Sequence, residues 1–154
     1  MIIERRCVVD APAEQVWARV VTPEGINDEL RPWMTMSMPR GADALTVDNL
    51  PVGVPIGRCW LRLFGVLPFD YDLLTIAELE RGRGFDEQST MMSMRRWRHQ
   101  RTVTPDGDAK AVVHDRITCE LRAPLRPATP IVAAGLRALF GHRHRRLQRH
   151  FGSS

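Results

Sequence analysis

The chain has 154 residues, of which 44% are apolar, and this is typical of a single globular domain with a core and room for a cavity. Its net charge of +4 is uneven, because seven arginines and no acidic residue follow Leu121. No internal repeat or low-complexity tract is present, which excludes repeat and disordered classes, so residues 1–154 are interpreted as one domain.

Neither a targeting segment nor a membrane span is apparent in the sequence. Charged side chains interrupt Met1–Val9, unlike a signal peptide, and the apolar stretch Ile131–Leu136 is too short to cross a bilayer. Cys7, Cys59 and Cys119 form an odd, widely spaced set that fits neither a disulfide framework nor a zinc site. We therefore expect a cytoplasmic protein with buried thiols.

Two short helices are predicted after a first strand at Ile2–Val9. The first spans Ala11–Val21, with Asp10 as its N-cap and an apolar face at helical spacing. Thr22–Gly25 breaks this helix, and Ile26–Leu30 predicts the second one. The pair lacks the basic face of a DNA-recognition helix, so we do not expect nucleic acid as a partner.

Strand patterns dominate from Trp33 to about Ala123. The candidate strands are Trp33–Met38, Gly57–Phe64, Phe69–Glu80, Phe85–Met94, Arg95–Thr104 and a last strand that ends near Leu121. Pro39–Gly57 is rich in Pro, Gly and Asp and predicts a loop. Within Phe69–Glu80, apolar and acidic residues alternate, which predicts a strand with Tyr71 on the buried face and Asp70 and Asp72 on the wet face.

The clearest local signal is a hairpin turn at Pro105–Asp108. If Asp106 and Gly107 form the centre of the turn, cross-strand pairing places Arg98 opposite Asp115 and His99 opposite His114.

A long C-terminal helix is predicted over roughly residues 128–150, after several prolines lead the chain out of the sheet. Leu136, Phe140, Leu147 and Phe151 recur at helical spacing, with Arg143 or His144 in the same stripe, and mark the face that packs on the sheet. The predicted order is one strand, two short helices, about six antiparallel strands and one long helix, which is an α+β arrangement.

Several motifs occur in an order that resembles the START-like superfamily, also called SRPBCC. This superfamily includes the polyketide cyclase/dehydrase group and the plant pollen-allergen-like proteins. The motifs are Val9–Trp17, Trp97–His99, Asp115–Ile117, Leu121–Pro124 and Phe140–His144 with Leu147 and Phe151. The chain looks most like bacterial ligand-binding SRPBCC proteins of unassigned function. The resemblance implies a helix-grip fold, in which a curved antiparallel sheet of about seven strands wraps around the last helix and encloses a cavity.

The fold implied by the resemblance hosts both carriers and enzymes, so two functions stay open. We prefer binding of a small hydrophobic molecule, such as a lipid or a polyketide-like aromatic, by a carrier or sensor. The alternative is a cyclase or aromatase, which needs a proton donor near a carbonyl and a base near an acidic carbon. The candidate catalytic side chains are Tyr71, His99, Arg101, His114 and Asp115. The pattern leaves open which sheet face the two histidines occupy, and a structural role is the alternative for each.

Large, adaptable side chains on the predicted strands and the last helix are the candidates for the cavity wall, with ordinary core packing as the alternative. These candidates are Trp33, Met36, Trp60, Tyr71, Met92, Met94, Trp97, Leu136 and Phe140.

No metal site or cofactor is expected, because His142 and His144 are two residues apart on a helix and point in different directions. A third hypothesis is an interaction module that rests its basic helix on anionic lipid or an acidic partner. The residues for such a contact are Arg143, Arg145, Arg146 and Arg149. We expect a monomer or a homodimer.

Overall fold

The computed structural model describes residues 1–39 and 46–154. The helices are α1 (Ala13–Val20), α2 (Pro23–Leu30) and α3 (Thr129–Phe151). The strands are β1 (Ile2–Val9), β2 (Met34–Met36), β3 (Gly57–Leu63), β4 (Leu67–Leu74), β5 (Ile76–Glu80), β6 (Gly84–Met91), β7 (Met94–Asp106) and β8 (Lys110–Leu121).

The predicted loop between β2 and β3 falls partly at residues 40–45, which lie outside the described residues. In its described part, Val47–Asn49 forms a short 3-10 helix, and Val52 makes an isolated bridge to Ile76. Another 3-10 helix, Ala123–Ala128, connects β8 to α3.

The strands form one antiparallel sheet in the order β1-β8-β7-β6-β4-β3-β2, with β5 also paired to β6. Only Thr75 separates β4 from β5, and both pair with β6, so together they act as one bent strand. The sheet therefore has seven strand positions, and α3 lies against its concave face. The predicted helix-grip architecture is confirmed.

Helix α1 begins two residues later than predicted, at Ala13, with Pro12 as its N-cap. The prediction that Asp10 caps this helix is wrong. The N–H of Asp10 donates instead to the carbonyl of Gly152 over 2.9 Å, which ties the end of β1 to the residue that follows α3.

Helix α2 begins at Pro23, earlier than predicted, because its N-terminus is well capped. The hydroxyl of Thr22 accepts the N–H of Gly25 over 3.0 Å, and proline suits the first turn. A Cβ on Gly25 would lie 1.9 Å from the carbonyl oxygen of Arg19, so only glycine lets α2 approach α1 this closely.

The β7–β8 hairpin turns through three residues, Gly107–Ala109, whereas the sequence predicted a two-residue centre. Gly107 adopts a φ of +75°, a conformation that glycine enters without steric cost. The longer turn moves every partner along β8, so the predicted pairs Arg98–Asp115 and His99–His114 are wrong. The observed pairs are Arg98 with Thr118, His99 with Ile117, Arg101 with Asp115 and Thr102 with His114.

The prediction for the faces of β4 is also wrong. Asp70 and Asp72 are buried on the concave face, whereas Tyr71 lies on the outer face against Trp60, at 5.5 Å between ring centroids. The face is decided by Leu74 and Ile76, which are 4% and 1% exposed in the core. Since side chains alternate along a strand, burying these two residues also turns the two aspartates inward.

The apolar core forms two clusters between the sheet and the helices. The first gathers Val9, Trp17, Val113 and Leu147, and the second gathers Ile117, Phe140 and their neighbours. Burial of each large side chain contributes about 1.5–3 kcal/mol. Among the described residues, no helix combines the length and apolarity that a bilayer span requires.

Candidate functional site

A cavity of about 460 Å³ lies between the concave face of the sheet, α2 and α3. This volume falls within the range of about 300–1,000 Å³ that is usual for small-molecule sites. Most of its wall is apolar, and five methionines make it adaptable: Met34, Met36, Met38, Met91 and Met94. Two groups of polar side chains interrupt this apolar wall.

The first group is centred on Arg101, whose side chain is 1% exposed. Its guanidinium donates to Glu29 over 2.8 and 2.9 Å and to Asp115 over 2.7 Å in two bonds. Arg143 of α3 adds a further bond to Glu29 over 3.1 Å. These bonds connect α2, β7, β8 and α3 through buried charges that are fully paired.

Two histidines extend this group on either side of Asp115. Nε2 of His99 lies 2.7 Å from Oδ1 of Asp115, and Nε2 of His144 lies 2.6 Å from Oδ2. The ring of His99 sits between Phe85 and Phe140, in edge contacts at 5.4 and 5.3 Å. If each Nε2 carries a proton and donates it to Asp115, Nδ1 of His99 remains as an acceptor, 3.9 Å from a carboxylate oxygen of Glu87.

The ion pairs decide the protonation of the two carboxyls in this group. Burial by itself would raise the pKa of Asp115, but the charge and hydrogen bonds of Arg101, with His99 and His144, hold it well below its usual range. For Glu29, burial is likewise outweighed by Arg101 and Arg143, and its pKa is lowered. Both side chains are therefore charged at neutral pH.

The second group is acidic and lies on β4 and β6. Asp70 is satisfied, because it accepts the N–H of Tyr71 over 2.8 Å and a hydroxyl hydrogen bond from Ser93. Glu87 accepts the hydroxyl of Ser89 over 3.1 Å, and its other oxygen lies 3.9 Å from Nδ1 of His99.

Asp72 differs from the other carboxyls of the cavity. It is 5% exposed, and its Oδ1 has no hydrogen-bond partner among the described residues. Burial, and then the neighbouring charge of Glu87, raise the pKa of Asp72 well above its usual range. Asp72 therefore holds its proton to a higher pH than an ordinary aspartate, and in that form it can donate a hydrogen bond or a proton inside the cavity.

The sequence matches the family described as "Domain of unknown function (DUF8410)" over residues 7–151. The chain belongs to this family. None of the curated proteins matches it.

Solved structures show that this DUF8410 chain has the START/SRPBCC-like fold that the sequence motifs implied. A START superfamily protein from Mycobacterium smegmatis superposes with a TM-score of 0.65 at 11% identity, covering 96% of this chain and 97% of that one. A conserved protein from Geobacillus kaustophilus gives 0.70 at 8% identity, covering 98% and 95%. Norcoclaurine synthase from Thalictrum flavum, in complex with dopamine and hydroxybenzaldehyde, gives 0.61 at 14% identity, covering 100% and 89%.

Some of the residues that the sequence predicted for the site of this DUF8410 protein line the cavity, and others do not. Those that line the cavity are Met36, Met94, Trp97, His99, Arg101, Leu136 and Phe140. Asp115 lies directly behind them, bonded to His99 and Arg101.

The other candidates lie on the outside of the sheet or at its edge. Trp33 is 53% exposed and packs on Phe64 and His142, and Met92 is 49% exposed. The rings of Trp60 and Tyr71 meet edge to face on the outer side of the sheet, so the prediction that Tyr71 points inward is wrong. His114 is also outside, 3.6 Å from Glu4.

Sequence reasoning missed six polar groups that contribute to the site. They are Glu29, Asp70, Asp72, Glu87, Arg143 and His144. The four acids looked like ordinary surface residues in a local pattern, whereas Arg143 or His144 fell in the apolar stripe of the last helix without being assigned to the site. For Asp72, the run of Leu74 and Ile76 was the signal that could have revealed its inward direction.

The basic helix α3 is less exposed than its sequence suggested. Arg143 is buried against Glu29, which corrects the expectation that it faces a membrane or a partner. Arg146 binds Asp28 over 2.8 Å, whereas Arg145 and Arg149 are exposed. Within the described part of the chain, no group of three or more metal-ligating side chains is arranged to hold an ion.

Proposed function

We propose that this protein binds a small, mainly apolar molecule, such as a lipid or a polyketide-like aromatic, in the cavity between the sheet and α3. The cavity of about 460 Å³ with its largely apolar wall supports this proposal most directly. Burial of the ligand's apolar surface contributes about 25 cal/mol per Å². A carrier or sensor needs no more than this, together with a few polar groups that orient the ligand.

The first experiment is native mass spectrometry of the freshly purified protein, to detect and identify a co-purified molecule. The neutral fluorescent probe N-phenyl-1-naphthylamine then tests the cavity directly. Leu136→Trp fills the cavity from α3 and should weaken probe binding at least tenfold. Ile131→Trp is the matched control, because Ile131 is on the same helix but 77% exposed.

Binding that is saturable in the wild type and in Ile131→Trp, but lost in Leu136→Trp, supports the proposal. If neither a co-purified molecule nor probe binding is found, or if Leu136→Trp binds the probe like the wild type, the proposal is refuted.

The second candidate is catalysis of proton transfers of the cyclase or aromatase type. The observation that favours it is the presence of a carboxylic acid and a histidine–aspartate pair on one cavity. Asp72 would donate a proton towards a carbonyl oxygen. His99, held by Asp115, would accept a proton from an adjacent carbon.

Deuterium exchange at the acidic carbon of 2-tetralone, followed by proton NMR, tests this chemistry without knowledge of the natural substrate. An enzyme should accelerate exchange over buffer, and His99→Gln should abolish the acceleration. His114→Gln is the control, since His114 lies on the outer face. If the wild type gives no acceleration although the ketone binds, this second candidate is eliminated and binding remains.

A further inference from the structure

The two polar groups of the cavity differ in their charge balance. In the first group, Arg101 and Arg143 are both committed to Glu29, and Arg101 also to Asp115. The guanidinium bonds are 2.7–3.1 Å long, and Arg101, which makes four of them, cannot turn to another anion without breaking a buried ion pair; Arg143 is held to Glu29 through its Nε.

The second group, on β4 and β6, contains three inward carboxyls and no paired arginine or lysine among the described residues. Asp70 has its own donors in Ser93 and the backbone of Tyr71. The hydroxyl of Ser89 is the donor near Glu87 and Asp72, and it donates its one proton to Glu87.

Oδ1 of Asp72 is therefore a buried polar atom without a hydrogen-bond partner among the described residues. None of the ionisable neighbours of Asp72 supplies a positive charge. Glu87 and Asp70 are acids, and the thiol of Cys59 stays neutral because burial, with the charges of Asp72 and Glu87, raises its pKa to about 12. A buried polar atom without a partner destabilises the folded protein, and a ligand that supplies the missing hydrogen bond recovers that loss.

We propose that the molecule bound in this cavity carries a basic nitrogen, a protonated amine attached to an apolar body, which donates hydrogen bonds to Asp72 and Glu87. This inference rests on the proposed binding function and specifies its ligand class. A cation fits because it would supply both the missing donor and the missing positive charge at the acidic group.

The proton balance of binding follows from the state of Asp72. In the free protein, the raised pKa lets Asp72 hold its proton to a higher pH than an exposed aspartate does. The amine arrives as an ammonium ion, and its charge lowers the pKa of Asp72, so the carboxyl releases its proton to solvent as the ion pair forms. Binding of the amine therefore releases up to one proton, whereas a neutral analogue leaves Asp72 protonated.

Isothermal titration calorimetry with two matched probes tests this inference. The probes are 2-(2-naphthyl)ethylamine and 2-(2-naphthyl)ethanol, which share one apolar body and differ in the terminal group. Each is titrated at neutral pH in two buffers of different ionisation enthalpy, which reveals proton release. We expect the amine to bind at least tenfold more tightly than the alcohol, with net release of protons that the alcohol does not cause.

Variants locate the effect. Asp72→Asn should abolish both the preference for the amine and the proton release, while the alcohol binds as before. Glu87→Gln should reduce the preference, and it provides a second test if Asp72→Asn fails to fold. Asp86→Asn is the matched control, because Asp86 is a buried acid on β6 that binds Arg98 on the outer face.

Equal binding of amine and alcohol by the wild type would overturn the inference but leave the proposed function intact. A preference for the amine that survives both Asp72→Asn and Glu87→Gln would also overturn it, because the ammonium would then lie elsewhere. If neither probe binds and the neutral probe N-phenyl-1-naphthylamine also fails, the proposed function itself is refuted.

Discussion

Replacement of Arg101 by methionine tests the buried charge network most severely. Arg101→Met removes four hydrogen bonds, two to Glu29 and two to Asp115, from a side chain that is 1% exposed. Both carboxylates stay buried, with only Arg143 beside Glu29 and two histidines beside Asp115. Breaking a buried pair in this way costs about 3–5 kcal/mol.

A loss of this size is a large share of the roughly 5–15 kcal/mol that stabilises a typical domain. Urea unfolding at neutral pH, followed by tryptophan fluorescence, measures the change in the free energy of unfolding. Arg95→Met is the matched control on the same strand. Arg95 is 69% exposed and lies 3.9 Å from Glu120, so its loss should cost at most about 1 kcal/mol.

The pH dependence gives an independent check of the same reasoning. Because the pKa values of Glu29 and Asp115 are lowered on folding, their stabilisation is present above the unfolded values of 4.5 and 3.8. It is lost as the pH falls through the folded values. The wild type should therefore lose more stability on acidification than Arg101→Met does. The argument would be refuted if Arg101→Met lowered the free energy of unfolding no more than Arg95→Met does. It would also be refuted if the difference in stability between the wild type and Arg101→Met did not shrink as the pH falls.

Three further predictions concern other parts of the molecule. The folded wild type binds the proton of Asp72 more tightly than the unfolded chain does, so the wild type loses stability as the pH rises from about 4 towards the raised pKa. Asp72→Asn removes this loss, and its free energy of unfolding should exceed that of the wild type by a margin that grows with pH. Equal pH profiles of unfolding for the two proteins would contradict this. All three buried cysteines should resist a thiol reagent at pH 8 until the protein unfolds, and rapid labelling of the folded protein would show the burial to be wrong. Gly25→Ala should lower the melting temperature strongly, because its Cβ would clash with Arg19, whereas Gly135→Ala, in open space on α3, should raise it.

Much of the architecture followed from local patterns in the sequence. The apolar stripe of Leu136, Phe140 and Leu147 predicted α3 to within one residue at each end, because helical periodicity is a property of neighbouring positions. Strand alternation and turn residues placed the strands, and the order of motifs indicated the helix-grip fold. The order of these elements follows from the sequence because each one forms from its own residues.

Tertiary structure decided which way the polar side chains face. A turn of three residues at Gly107–Ala109 set the β7–β8 register, and the burial of Leu74 and Ile76 turned Asp72 inward. Such choices depend on which face of a strand meets the rest of the fold, and a local pattern of alternation fits either face equally well.

The buried network could not be read from the sequence for a related reason. Glu29 and Arg101 are separated by 72 residues, and Glu29 and Arg143 by 114, yet they share hydrogen bonds inside the cavity wall. The sequence by itself determined the helices, the strands and the presence of a basic last helix. The burial of Arg143 and His144 among charges was decided only by packing. Their partners lie on other elements of the chain, which meet α3 only when the tertiary structure forms.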